Sequence, residues 1–191
     1  YGALLAAPFI AVFLLLSFWK NSTENYYSEI MKNDLTEGRM AFEKQLDIMC
    51  AGAFSVSNDS DLKWVYFLDG LKDGDNNIAA LIRCNDMLRQ TFADSEHYQN
   101  YSVIMKNELI FRKSGMVVGD KFFYDNYCTY QNTDFETWRK QSFESNTWQL
   151  FPLEEIDTGE RTFQAMTFSY PVRNYIQQEP EANAVVQFLL S

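Results

Sequence analysis

Few residues in this chain could carry chemistry, and their spacing excludes more than it supports. The one histidine, His97, stands in Asp-Ser-Glu-His-Tyr on an expected loop. No Ser, Cys or acid is set beside it by a motif, so it reads as a surface residue. The patterns GxSxG, HExxH, GxxxxGK[ST] and GxGxxG do not occur, which removes hydrolase elbows, zinc proteases and nucleotide loops. Asp73-Gly-Asp75-Asn-Asn77 has the oxygen density of a calcium loop, but an EF-hand starting at Asp73 needs Gly where Ile78 stands and Glu where Cys84 stands. It reads as a polar turn capping a helix. Cys50, Cys84 and Cys128 are odd in number and widely spaced. They suit neither a zinc site nor a disulfide framework, and read as small apolar side chains. Glu154-Glu155 and Asp59/Asp61 fall in expected polar connections without a base partner. No enzyme activity, metal or cofactor is expected.

The remaining candidate is an aromatic concentration between Tyr101 and Arg173, set among few charges, chiefly Arg112, Lys113, Arg139 and Arg173. Ligand pockets combine apolar walls with a few placed polar groups. The expected site is a cavity walled by Tyr101, Tyr124, Trp138, Trp148, Phe168 and Tyr170. Arg173, just past Pro171, would reach a ligand's negative group, because an Arg fork suits a carboxylate or phosphate. A carboxylate or a sugar is the expected ligand class. The plainer reading of each ring is core packing.

These side chains need a scaffold, and 191 residues (22.3 kDa) provide about one domain and an appendage. With 47% hydrophobic and 22% charged residues the bulk is not disordered. A net charge of −10 argues against nucleic-acid binding by this chain. Tyr1–Trp19 carries no charge and ends on Trp19-Lys20, as a membrane-spanning helix does at an interface. The chain starts with Tyr and reads as a piece of a longer protein. Residues 20–57 read as a stalk whose helix, Ser22–Phe54, sets Tyr27, Met31, Leu35, Gly38, Phe42, Leu46, Met49 and Ala53 on one face. It would reach roughly 45–50 Å beyond the membrane, and a stalk of this kind leaves a homodimer open.

Residues 58–191 read as the folded domain. Asn58-Asp-Ser-Asp61 breaks the stalk, Leu62–Leu68 is short and apolar, and Asp69-Gly70 turns the chain. Asp75 caps a helix over Asn76–Phe92 with Ile78, Leu81/Ile82, Met87/Leu88 and Phe92 inward. Alternation then predicts two antiparallel strands about Lys106-Asn107 and a third short piece at Met116–Val118. Phe122–Tyr130 is a short helix or loop, and Thr133-Asp-Phe-Glu136 has the form of a capping box opening a helix to about Phe143. Strands at Arg161–Val172 and Ala184–Leu190, joined by the polar Asn174–Asn183, close the chain. The fold class is α+β, a long helix backing an antiparallel sheet.

The run of a membrane helix, a stalk, YSVIMKNELIFRKSG, MVVGD, FFYDNYCTY, DFETWRKQSF, WQLFPLEEI, FQAMTFSYPV and ANAVVQFLL resembles the extracytoplasmic sensor regions of Firmicutes membrane-bound regulators. The resemblance covers most of residues 20–191 by the order and texture of elements. It implies a Cache (PAS-like) sensor domain, membrane-distal in this chain, whose output is an AraC-type DNA-binding domain elsewhere in the protein. Histidine kinases and chemoreceptors carry similar sensors, and a non-sensing assembly protein is the alternative from another class. The amino-acid-binding signature of such domains, Arg followed closely by Trp-Tyr, is not met: Trp138-Arg139 has the reverse order. The implied location is the cell membrane, with the domain outside the cytoplasm.

Overall fold

A computed structural model describes residues 2–65, 74–92, 98–172 and 182–190, with the side chains of 2–17, 64 and 74–77 left out. The expectations placed on Asp69-Gly70, Asp73, the cap Asp75, His97, Arg173 and most of the 174–183 connection lie outside what is described. The chain divides into two units, Tyr1–Asp47 and Ile48–Ser191.

The first unit is helical throughout as the leading part of α1 (Gly2–Ser57). From residue 9 onward that helix contains no proline to interrupt it. Exposed pairs at i,i+4, Lys20–Glu24 at 3.8 Å and Arg39–Glu43 at 3.4 Å, each add a few tenths of a kcal/mol at most. The stripe expected to be covered along its length is bare at its start. Tyr27, Met31 and Leu35 are 61%, 65% and 74% exposed, whereas Phe42 and Leu46 are half-buried. Among the described residues no helix is long and apolar enough to cross a membrane. The membrane expectation rests on residues 1–17, whose side chains are outside the described set.

In the second unit α1 ends with Met49, Ala53 and Val56 buried, and α2 (Ser60–Val65) and α3 (Gly74–Thr91) follow. Asp59 opens α2 by accepting from the Leu62 amide at 3.0 Å. The buried face of α3 is Leu81, Cys84 and Leu88; Ile78 and Ile82, expected inward, are exposed. Seven strands make one antiparallel sheet: β1 (Asn100–Met105), β2 (Leu109–Arg112), β3 (Gly115–Val118), β4 (Thr129–Tyr130), β5 (Gln149–Asp157), β6 (Thr162–Val172) and β7 (Ala184–Leu190), in the order β3-β2-β1-β7-β6-β5-β4. Between β3 and β5 come α4 (Asp120–Tyr127) and α5 (Phe135–Glu144). The fold is therefore α+β with a long N-terminal helix and an antiparallel sheet, as expected.

Period-2 alternation assigns the two faces. Tyr101 pairs with Phe188 and Ser102 with Gln187, so odd residues of β1 and even residues of β7 share a face. On that face Phe92, just past α3, packs tilted against Tyr101 at 4.8 Å and edge-on against Phe188 at 5.3 Å, and a methyl added at Gly52 of α1 would come within 3.0 Å of the Phe92 ring. The opposite face carries Ile104, Ile110, Ala165, Val185 and Leu189, packed with Phe123, Tyr124, Trp138 and Phe143 from α4 and α5.

Three expectations need correction. The cap of α5 is Asp134, not Thr133: its carboxylate accepts from the Thr137 amide at 2.8 Å. The tight turn Lys106-Asn107 takes a third residue, Glu108, at φ 66. Gln149–Asp157, expected as connection, is a nine-residue strand, and Thr129–Tyr130 adds a short edge beside it.

Candidate ligand cavity

The strand that sequence reasoning missed supplies one wall of the cavity between α5 and the sheet. β5 pairs with β6 along its length, but the register shifts between Phe151 and Glu154, so Pro152-Leu153 bulges. That bulge turns Phe151, Pro152 and Glu154 toward a half-closed cavity of about 120 Å³, whose other walls are Tyr130, Thr133, Trp138, Gln141, Ser142 and Gln187. An apolar cavity of about 150 Å³ holds one benzene, so this smaller space suits a molecule of about four to six heavy atoms.

Its polar side chains are placed by hydrogen bonds that leave two buried atoms without a protein partner. Ser142, one turn after Trp138 in α5, gives its hydroxyl proton to the Trp138 carbonyl at 2.7 Å. Its oxygen can then only accept, and takes the Gln187 Nε2 proton at 2.9 Å. That fixes the Gln187 amide and leaves its Oε1 without a protein partner. The Trp138 indole N–H likewise has none. Trp138 is 4% and Gln187 2% exposed. Buried polar atoms without partners are few in native structures. One donor and one acceptor of this kind therefore belong to residues of the same cavity wall. Tyr130 shares a hydrogen bond with Thr167 at 2.9 Å, and burial pushes its phenol well above the ordinary value, so it stays neutral. Glu154 accepts from the Asn132 amide and the Thr133 hydroxyl, both at 3.2 Å, and so holds the entry to α5.

The cations of the neighbourhood are engaged elsewhere. Arg139 donates to the buried Asp120 at 2.6 Å, tying α5 to the start of α4. Arg112 stacks on Tyr127 at 3.8 Å, and Arg161 on Phe163 at 4.8 Å. Among the described residues that line the cavity none carries a positive charge.

The residues expected from sequence to form one site are divided by the sheet. Trp138 lines the cavity, and Tyr124 stacks behind it at 5.4 Å with its hydroxyl given to the Thr133 carbonyl. Tyr101 and Phe168 belong to the opposite face, where Trp148 packs on Phe168 at 5.8 Å; Tyr170 has the same strand parity as Phe168. Arg173 is outside the described residues. The six aromatic walls thus do not meet in one cavity. Glu154, Gln187 and Ser142 were missed, although Gln187 carried a signal: a single amide within Ala184–Leu190, a strand buried at every position.

No protein-family model matches this chain, and no curated protein is similar to it.

Asp120 offers a pH test of the α4–α5 tie. Burial raises its carboxyl above the ordinary value of 3.8, the Arg139 charge and hydrogen bond oppose the rise, and Glu108 adds to it. The folded chain thus holds this proton more tightly than the unfolded chain does. Stability from the group is fully present below 3.8 and falls as pH rises through the elevated value. Relative to Asp120→Asn, the wild-type protein is expected to gain stability as pH is lowered from about 7 toward about 4. Urea unfolding at each pH measures this. A difference that does not move with pH would mean that Arg139 holds the carboxylate charged throughout.

Proposed function

We propose that this chain is the extracytoplasmic ligand-sensing part of a bacterial membrane-bound transcriptional regulator of AraC type, with Cache-like architecture. The observation that carries the sensing role is the half-closed cavity between α5 and the sheet, with the Trp138 indole N–H and the Gln187 carbonyl oxygen both buried in its wall and unmatched by protein. A ligand that supplies both partners removes the cost of two buried, unpaired polar atoms, about 1–3 kcal/mol each. The antiparallel sheet, covered by α4 and α5 on one face and by helical residues on the other, is the layout the resemblance implies. The uncharged Tyr1–Trp19 supports anchorage in the membrane.

Signalling in this reading is a population shift. A ligand held by α5, β5 and β7 favours one packing of α5 on the sheet over another, by as much as its affinity differs between the two. No proton or bond need move.

The test is thermal unfolding of the full chain in detergent against a panel of small metabolites. A ligand at one hundred times its Kd stabilises by about 2.7 kcal/mol, which for a chain of this size is about 5–10 °C. Gln141→Trp, at an exposed position of the cavity wall, is expected to abolish that shift while its own melting stays near the wild-type value. If no small molecule raises the melting temperature, the sensor reading fails. The alternative of an assembly protein then gains, favoured by the bare stripe Tyr27, Met31 and Leu35 on α1.

A further inference from the structure

We infer that the cavity between α5 and the sheet takes a small ammonium compound, a protonated amine of about four to six heavy atoms that also carries a hydrogen-bond acceptor. This rests on the cavity being a ligand site and specifies what the site selects.

Three properties of the wall lead there. The first is charge. Glu154 is the one ionisable acid among the described lining residues, no cation accompanies it, and the chain as a whole carries −10. A carboxylate ligand would lie beside Glu154 in a half-closed space with nothing to neutralise either group, a costly arrangement. An ammonium group instead completes a pair whose acidic half is already fixed in place. The carboxylate oxygens accept from Asn132 and Thr133, and each retains a free lone-pair site toward further donors.

The second is the rings. Tyr130, Trp138 and Phe151 line the same space, and aromatic faces attract a cation through their quadrupole, Trp most strongly. An anion gains nothing from them. The third is the hydrogen-bond pattern. Gln187 Oε1 asks for a donor, which an ammonium supplies, and the Trp138 N–H asks for an acceptor, such as a hydroxyl or carbonyl on the same molecule. Acid, rings and open amide oxygen all point to a positive donor, and only the indole asks for an acceptor.

The experiment compares charge variants of one skeleton on the full chain in detergent, at fixed pH and ionic strength. Ethanolamine, glycolamide and glycolate share a hydroxyl and differ as cation, neutral amide and anion; two- to four-carbon amines with a hydroxyl or amide extend the set. At least one ammonium compound is expected to raise the melting temperature by several degrees at millimolar concentration, while its carboxylate counterpart leaves it unchanged. Glu154→Gln keeps one acceptor, for the Asn132 amide, and can donate its NH2 to the Thr133 hydroxyl oxygen in place of accepting from it; it is expected to weaken amine binding tenfold or more. Gln141→Lys places a positive charge at an exposed position of the wall, and is expected to abolish amine binding without lowering the melting temperature of the free protein. This second variant decides the matter if Glu154→Gln fails to fold. Stabilisation by glycolate or another anion but by no amine overturns the ammonium assignment and leaves the sensor reading standing. Amine binding indifferent to Gln141→Lys overturns the placement in this cavity. Absence of any stabilising compound, in this set and in the wider panel, overturns both.

Discussion

Met49→Asp is expected to remove about 4 kcal/mol or more of the stability of the Ile48–Ser191 unit, a large part of the 5–15 kcal/mol a domain possesses. Met49 is 1% exposed, and one and two turns further along α1 lie the equally buried Ala53 and Val56. An aspartate there would put a charge where a fully buried apolar side chain stood, so it must protonate or drag the helix end into water. Urea unfolding followed by circular dichroism should show the midpoint collapse. Leu46→Asp, at a half-buried position, is expected to cost about 1 kcal/mol, and changes at the exposed Glu43 or Lys44 less. Equal losses at Met49 and Glu43 would mean that the buried face of the helix is another one.

The second large effect is expected in the strand at the centre of the sheet. Phe188 is fully buried, with its ring 4.8 Å from Tyr98, 5.3 Å from Phe92 and 6.1 Å from Phe168. Phe188→Ala loses the transfer energy of the ring and leaves a cavity bounded by strands that cannot collapse inward, about 3–5 kcal/mol. Trp148→Ala is the contrast. Trp148 is about half exposed and packs on Phe168 alone among the described rings, so its loss should cost about 1 kcal/mol. Chemical denaturation of the two variants measures both. A loss at Trp148 as large as that at Phe188 would show that its ring is part of the core.

How much was readable in advance follows from which residues obey one physical rule. β1, β2, β6 and β7 alternate or run apolar between turn residues, and each was visible. α5 announced itself through acidic residues at its start, although Thr133 and Asp134 compete for the cap and only Asp134 wins it. β5 was hidden because it contains Pro152 and Glu154-Glu155 and fully buries Ile156 alone, so that its residues imitate a connection. The site was harder for a related reason. Choosing the large rings of β6 selects Phe168 and Tyr170, while the cavity side of that strand presents Thr167, bonded to Tyr130. Size and aromaticity point at the core face; the small polar residues one step away mark the other. Gln187 between Val186 and Phe188 was the better signal, since a buried amide in a central strand needs partners that a purely structural face does not supply.

The strand order also sets a schedule. β7, the last described strand along the chain, occupies the middle of the sheet, with β1 on one side and β6 on the other. Without β7, β3-β2-β1 and β6-β5-β4 are two separate meanders, and β1 and β6 each offer an unpaired edge for association with other chains. Its arrival joins the meanders and closes both edges at once. The step pairs residues 79 to 89 positions apart, such as Tyr101 with Phe188, which makes it the slow one. The same closure carries Gln187 into position beneath α5. The chain therefore acquires its sheet and its cavity in one event, and the two edges stay open to other chains for as long as that event is pending.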